Sequence, residues 1–125
     1  MRTRISIRDH GTTPVALVSL SGDLSHENCA EFRAYMQHCL ATSGPGTIAV
    51  DVANLTYIDA AGIAVCIEIY RWCLRQEVNF VFVRPSTIFL LFLDMYLLQN
   101  VFVIQDSLED VGSPGAPRAA ALCAA

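Results

Sequence analysis

The stretch TIAVDVANLTYIDAAGI, residues 47–63, decides the fold. Residues 47–52 form a compact run rich in β-branched and apolar side chains, which is typical of a strand buried inside a sheet. Residues 53–59 are predicted to be a loop, and Asp59 at its end is a suitable N-cap for a helix over residues 60–75. Charged residues recur along this helix at spacings of three and four, at Glu68, Arg71 and Arg75. The other faces of the helix are therefore expected to be buried.

Strands and helices also alternate on both sides of this stretch. Upstream, the predicted elements are a strand around Ile5 and Ile7, a strand over residues 15–20, and a helix over residues 26–40 that Ser25 can cap. Downstream, they are a strand over residues 79–83, a helix over residues 85–97 that Pro85 can open, a strand over residues 101–104, and a short acidic helix near residues 107–111. The order ββαβαβαβα predicts an α/β fold with a mixed, mainly parallel sheet, right-handed crossovers and an antiparallel first strand.

The length and composition indicate one domain with a surplus of apolar side chains. A chain of 125 residues can build one core, and we expect the domain to cover residues 1–111. Residues 112–125 are rich in Gly, Ser, Pro and Ala and are expected to be a flexible tail. Hydrophobic residues make up 54% of the chain and charged residues only 16%, so some apolar surface is left for extra burial or for a partner.

The apolar stretch at residues 88–104 is not predicted to span a membrane. Polar, charged and proline residues in it or just before it leave only pieces too short to cross a bilayer: Arg84, Pro85, Asp94, Gln99 and Asn100. The first ten residues carry charges throughout and contain no apolar segment of the signal-peptide type. A cytoplasmic location is therefore expected.

Charge and motif content argue against several classes of function. The net charge is −4, and all eight basic residues are Arg without a local cluster, so nucleic-acid binding is not expected. The chain has no G-x-S-x-G nucleophile elbow, no phosphate-binding P-loop and no dinucleotide-binding glycine motif, so we expect neither an enzyme nor a cofactor. The five cysteines include no C-x-x-C pair, which predicts free thiols rather than a metal site or a disulfide framework.

Two further interpretations of polar residues remain open. Four carboxylates fall at or after strand ends, where open α/β sheets place functional loops: Asp23, Asp51, Asp59 and Asp106. They could form an acid/base pair or a metal site, but the favoured interpretation is that they bond to backbone N–H groups. A thiol switch is a separate hypothesis, because Cys66 and Cys73 lie two turns apart on one helix face and Cys123 lies in the tail.

Residues 50–63, VDVANLTYIDAAGI, resemble the STAS domain family, best known as bacterial anti-sigma factor antagonists. In that family a strand ends in Asp, and after a loop the motif Asp-Ser-Ser/Thr-Gly opens a helix; residues 59–62 stand at this motif. Residues 22–25, Gly-Asp-Leu-Ser, are similar to the family's turn before the first helix, and residues 93–104 are similar to its third helix and last strand. The resemblance covers roughly residues 5–111 and implies a regulatory domain that binds an anti-sigma factor.

This chain departs from the family pattern at the residues that regulate it. In regulated members, the Ser or Thr just before the helix-opening Gly is phosphorylated by the partner kinase, whereas Ala61 and, before it, Ala60 stand here. Neither side chain can accept a phosphate, so the resemblance implies a domain that this switch cannot turn off. Thr56 and Tyr57 lie at the wrong offset to replace the missing hydroxyl. Ser25 stands where the family usually has Asp, which leaves any inherited polar contact at that position unsupported.

The third predicted helix is apolar almost all round, although only one side of it can meet the sheet. We therefore expect its outer face, together with residues 57–62, to bind a protein partner or a second copy of the chain. The alternative is that the tail or an over-packed core covers this face. The predicted partner-binding residues are Asp23, Ser25, Tyr57, Asp59, Ala60, Ala61, Gly62, Phe92, Met95 and Tyr96.

Three functions follow from these features, in decreasing order of support. The first is an anti-sigma factor antagonist that binds an anti-sigma factor or kinase and is not switched by phosphorylation at position 61. The second is a structural or transporter-associated STAS subunit that is held in a larger assembly through the third helix. An enzyme or small-ligand binder comes third, because no motif supports it.

Overall fold

The computed structural model describes residues 2–10, 13–41, 46–98 and 100–106. Its elements are β1 (Arg2–His10), β2 (Thr13–Leu24), α1 (Cys29–Ala41), β3 (Thr47–Ile58), α2 (Ala60–Arg75), β4 (Asn79–Val83), α3 (Thr87–Met95) and β5 (Val103–Gln105). The predicted α/β class and the predicted order up to β5 are confirmed. The helix predicted at residues 107–111 and the tail at residues 112–125 lie outside the described residues.

The five strands form one sheet in the order β1-β2-β3-β4-β5. β1 is antiparallel to β2, as the hairpin prediction required, and β2 to β5 are parallel to one another. Because the parallel strands follow one another in sequence, right-handed crossovers bring α1, α2 and α3 to the same face of the sheet. The main core lies between that face and the helices, and a second apolar cluster on the other face contains Val15, Ala49, Val81, Val83 and Val103.

Aromatic side chains attach α3 to the sheet. The ring of Phe89 on α3 lies 4.7 Å from the ring of Phe82 on β4, between centroids. Phe82 in turn lies 5.0 Å from Phe80 and 5.1 Å from Phe102, both in edge-to-face arrangements. Each such pair contributes about 0.5–1.5 kcal/mol beyond the burial of its area. The inner side of α3 is therefore held firmly, which determines where its outer side points.

The central strands run further than the sequence predicted. The loop expected at residues 53–59 is wrong, because β3 continues to Ile58 and stays paired with β2 up to Leu24. Two register shifts in β2 allow this pairing, between Ser19 and Ser21 and between Gly22 and Asp23. Buried Leu55 and Ile58 stabilise the extension by adding to the core. As a result, β3 passes into the start of α2 with no intervening loop.

Several helix and strand ends also differ from prediction. α1 begins at Cys29 rather than at residue 26, because a turn precedes it in which the Ser25 carbonyl accepts bonds from the N–H groups of Asn28 and Cys29. The hydroxyl of Ser25 does not cap the helix. α3 begins at Thr87 and is capped by Ser86, whose hydroxyl accepts a bond from the N–H of Phe89, so Pro85 does not open it. The last strand is Val103–Gln105 instead of residues 101–104.

The start of α2 lies directly against the end of β2, and Gly62 permits this contact. A Cβ atom at position 62 would overlap the carbonyl oxygen of Leu24 and would come within 2.8 Å of the Ile58 side chain. The N–H of Asp59 donates to the same Leu24 oxygen at 3.3 Å. Glycine is needed here for close approach, because any larger residue would push the helix away from the strand.

We expect Gly62→Ala to lower the free energy of unfolding by about 1–3 kcal/mol, since the added methyl group meets backbone that cannot move aside easily. Chemical denaturation followed by circular dichroism measures this change. Ala64→Ser, at an exposed position on the same helix, is the control and should have the stability of the wild type within about 0.5 kcal/mol. Equal stability of Gly62→Ala and the wild type would contradict the close-contact explanation.

Candidate docking site

Asp59 organises the start of α2. Its backbone is extended, with φ −109° and ψ −176°, and its Oδ1 atom accepts a bond of 2.9 Å from the N–H of Gly62. Its Oδ2 atom accepts a bond of 3.1 Å from the N–H of His26 and lies 3.4 Å from the Nδ1 atom of the same residue. The predicted N-cap is confirmed. The carboxylate also links the turn before α1 to the first turn of α2.

The surroundings of Asp59 favour its charged form. Partial burial acts to raise its pKa, but the bonds from the N–H groups of Gly62 and His26, and the His26 ring beside it, together lower the pKa below its ordinary value. A negative charge at this position also interacts favourably with the positive end of the helix dipole. The carboxylate therefore stabilises the fold in its ionised form.

Asp23 and Ser25 form a closed turn with a residue that the sequence analysis missed, Asn28. The Ser25 hydroxyl donates to Oδ2 of Asp23 at 2.9 Å, and the Asn28 amide donates to the Asp23 carbonyl at 2.9 Å. The N–H of Ser25 donates to Oδ1 of Asn28 at 2.9 Å. The bond from Ser25 lowers the pKa of Asp23. Ser25 is itself buried, so it acts by shaping the turn.

The other carboxylates of the strand ends do not converge on this turn. Asp51 is buried and pairs with Arg84, whose Nε and terminal nitrogen atoms lie 3.1 and 2.6 Å from Oδ2. Its Oδ1 atom accepts a bond from the N–H of Ala53. Among the residues that the structure describes, no three His, Cys, Asp or Glu side chains are grouped to hold a metal ion. The interpretation that these carboxylates bond to local partners is confirmed for Asp23, Asp51 and Asp59.

Position 61 lies at the first turn of α2 and offers no hydroxyl. Ala60 is exposed, whereas Ala61 is half-buried and packs against the main core. Gly62 is buried behind them. Nearby, the hydroxyl of Thr56 donates to the Gly22 carbonyl at 3.1 Å, so it supports the end of β2. The part of the α2 start that a partner can reach is therefore small and is formed mainly by Asp59, Ala60 and the edge of Ala61.

The outer side of α3 is uncovered over a continuous set of apolar side chains. Phe89 and Leu93 are buried, and half-buried Phe92 contacts Tyr57 with ring centroids 6.4 Å apart. The exposed large apolar side chains that surround this contact or follow it are Tyr57, Leu90, Leu91, Met95, Tyr96 and Leu97, and we call them the α3 surface. Of the predicted residues, Tyr57, Met95 and Tyr96 are exposed and Phe92 is half-buried. Leu90, Leu91 and Leu97 were not singled out, although the all-round apolar pattern of the helix marked them.

The helical thiols are poor candidates for a redox switch. Burial raises the pKa of both Cys66 and Cys73 to about 12, so neither presents a thiolate at neutral pH. Cys29 and Cys39 are also buried and their pKa values are raised by burial. The thiol-switch hypothesis for Cys66 and Cys73 is therefore not supported, and Cys123 lies outside the described residues.

The depressed pKa of Asp59 predicts a dependence of stability on pH. A group whose pKa is lower in the folded state contributes stability above its unfolded pKa, and that contribution is lost as the pH falls through its folded pKa. Asp59→Asn keeps an oxygen for the cap but removes the charge, so at pH 7 it should lower the free energy of unfolding by about 0.3–1 kcal/mol. The difference from the wild type should shrink below about pH 4. Denaturation between pH 7 and pH 3 measures it.

Asp106→Asn is the control, because Asp106 is exposed and caps no helix in the described part of the chain. Its difference from the wild type should stay small across the same pH range. A difference for Asp59→Asn that is unchanged between pH 7 and pH 3 would contradict a stabilising charge at the start of α2.

None of the helices described is both long enough and apolar enough to cross a membrane. A family model with the description "Mlab, STAS domain" matches residues 7–105, which include every described element from the end of β1 to β5.

Solved structures of two kinds of protein share the fold. An anti-sigma factor antagonist from Mycobacterium paratuberculosis has a TM-score of 0.71 at 17% identity, with 87% of this chain and 90% of that chain covered. The Bacillus cell fate determinant SpoIIAA in its phosphorylated form has a TM-score of 0.62 at 16% identity, with 86% and 95% covered. A sulfate transporter family protein from Wolinella succinogenes has a TM-score of 0.67 at 12% identity, with 76% and 79% covered. The family match, over a sheet and helices arranged in this way, shows that the chain belongs to the STAS domain family.

Proposed function

We propose that this chain is a protein-binding regulator of the anti-sigma factor antagonist type. It binds an anti-sigma factor or a related kinase through the α3 surface and the adjacent start of α2, acts in the cytoplasm, and performs no catalytic step. The observation that carries the proposal is the α3 surface itself. Its six large apolar side chains are exposed in the described part of the chain, next to the helix start where regulated relatives are phosphorylated.

The energetics of the α3 surface favour association. Apolar area removed from water is stabilising by about 25 cal/mol per Å², and an exposed apolar patch of this kind marks an interaction site in soluble domains. Leu91 and Met95 lie four residues apart on α3 and are 51% and 64% exposed, so both point away from the core. Tyr57 extends the patch from α3 to the end of β3 through its contact with Phe92. A partner that covers α3 therefore also meets the start of α2.

The absence of a hydroxyl at position 61 makes this regulator permanently competent to bind. A phosphate would add a charge of about −1.5 to −2 beside the apolar surface and would oppose docking. Ala61 cannot receive it, and the nearby Thr56 hydroxyl is already bonded to the end of β2. In this proposal, the amount of the protein and the availability of its partner set the output.

The α3 surface is tested with Leu91→Ser. Removal of a large exposed side chain from the centre of a docking surface should weaken binding by about tenfold or more, because hot-spot residues contribute over 1 kcal/mol each. The measurement is a calorimetric titration with purified anti-sigma factors from the organism that encodes the chain. Tyr35→Ser is the matched control, since Tyr35 is an exposed aromatic residue on α1, outside the α3 surface. Equal losses in both variants would refute a specific role of the α3 surface.

Position 61 is tested by restoring the missing group. Ala61→Ser should become a substrate of a kinase-type anti-sigma factor, and its phosphorylated form should bind at least about tenfold more weakly than the unphosphorylated form. Ala61→Glu should weaken binding without a kinase. Phosphate incorporation is measured by mass spectrometry, with the wild type as the control that takes up none at this helix. Unchanged affinity of Ala61→Glu would mean that the start of α2 is not at the docking surface.

A transporter-associated role is the second candidate. It is favoured by the family description "Mlab, STAS domain" and by the structural likeness to a sulfate transporter family protein. In that case, the same surface would hold the domain in a membrane-transport assembly. Stable co-purification with transporter subunits, together with no binding to any anti-sigma factor, would favour this function over the first.

A further inference from the structure

α3 ends with an unusual residue in a conformation that glycine normally adopts. Leu97 follows the C-cap Tyr96 and has φ 57°, in the left-handed region. Its N–H donates to the Asp94 carbonyl at 3.1 Å, and the N–H of Leu98 donates to the Leu93 carbonyl at 2.8 Å. These two bonds form a Schellman motif, in which the residue at this position is usually Gly because a Cβ atom is strained there.

Packing within the chain does not explain the leucine. The Leu97 side chain is 80% exposed, more than any other large apolar residue of the α3 surface. The hydrophobic contact that accompanies a Schellman motif comes from the next residue, since Leu98 packs against the main core that contains Leu93. Leu97 therefore fits neither the backbone conformation nor the solvent that surrounds it. Strain that is kept without a local benefit is a reason to look for a function.

The end of α2 provides an internal comparison. Glu77 has the same φ of 57° and follows the C-cap Gln76. Its N–H donates to the Leu74 carbonyl at 3.2 Å, and the N–H of Val78 donates to the Cys73 carbonyl at 2.9 Å. The two helix ends thus share one geometry, but the exposed side chain is polar at α2 and apolar at α3. The backbone does not require leucine at this position.

We propose that Leu97 is the anchor of the α3 surface and inserts into an apolar pocket of a protein partner that has an Arg or Lys at its rim, opposite Asp94. This inference rests on the proposed function and names the chemistry of its partner. The position just beyond the helix end raises the side chain above the neighbouring surface. The partner gains the burial of an apolar group, while the chain keeps a strained residue.

Charge decides between the candidate occupants. Residues 87–98 contain one charged residue, Asp94, which is exposed, and no basic residue. Two copies placed face to face would bring together two Asp94 carboxylates and two chains of net charge −4, with no cation on either helix to offset them. An anionic membrane would meet the same repulsion. A protein with a basic rim around an apolar pocket complements the surface in both respects.

The test compares Leu97→Gly with its matched control Glu77→Gly. Both variants relieve a left-handed residue, so each should raise the Tm by about 2–4 °C. Only Leu97→Gly should weaken the calorimetric affinity for the purified anti-sigma factor, by about tenfold or more. Asp94→Asn should weaken binding a few-fold and make the affinity less dependent on salt concentration.

The outcomes separate this inference from the proposed function. If Leu91→Ser loses binding but Leu97→Gly binds like the wild type, the anchor is wrong and the docking surface stands. A fall in Tm for Leu97→Gly would show that the leucine serves the fold, which also rejects the anchor. Self-association of the wild type in analytical ultracentrifugation, lost in Leu97→Gly, would replace the heterologous partner with a second copy. If the wild type binds neither anti-sigma factors nor transporter subunits, the proposed function and the anchor both fail.

Discussion

The contact between the start of α2 and the end of β2 is the constraint on which the other features depend. Gly62 has no side chain, so the first turn of α2 can lie against the Leu24 carbonyl, and the N–H of Asp59 bonds to that same oxygen. Asp59 then bonds to both Gly62 and His26, which connects the starts of two helices at one edge of the sheet. The helix start that regulated STAS domains modify is thereby held in a fixed position by backbone bonds.

That constraint also places the α3 surface. β3 must stay paired with β2 up to Ile58 to reach the start of α2, so Tyr57 is carried to the edge of the sheet where it meets Phe92. The aromatic contacts of Phe82 and Phe89 hold the inner side of α3. One side of this helix therefore supports the core while the other remains available to a partner. A helix with so little polar surface is costly for an isolated domain, and this cost is consistent with a role in binding.

The same architecture occurs in anti-sigma factor antagonists and in a transporter family protein, so the fold alone does not select a function. The features that distinguish this chain are local. Ala61 replaces a hydroxyl, and Leu97 replaces the glycine that its conformation favours. The first removes a means of switching the domain off, and the second adds apolar surface at a site of backbone strain. Both changes favour a stable, constitutive complex.

Much of the fold was determined by the sequence alone, because it depends on local patterns. The alternation of apolar strands with helical spacing predicted the element order up to β5, and Asp59 was correctly predicted to cap α2. The length of β3, the buried turn of Asp23, Ser25 and Asn28, and the pairing of Asp51 with Arg84 were decided only by the tertiary structure. Each of them joins residues through strand pairing or side-chain contacts that no periodic pattern encodes. The strain at Leu97 likewise became visible only in three dimensions, since the sequence shows which residue is present but not the backbone conformation that it must adopt.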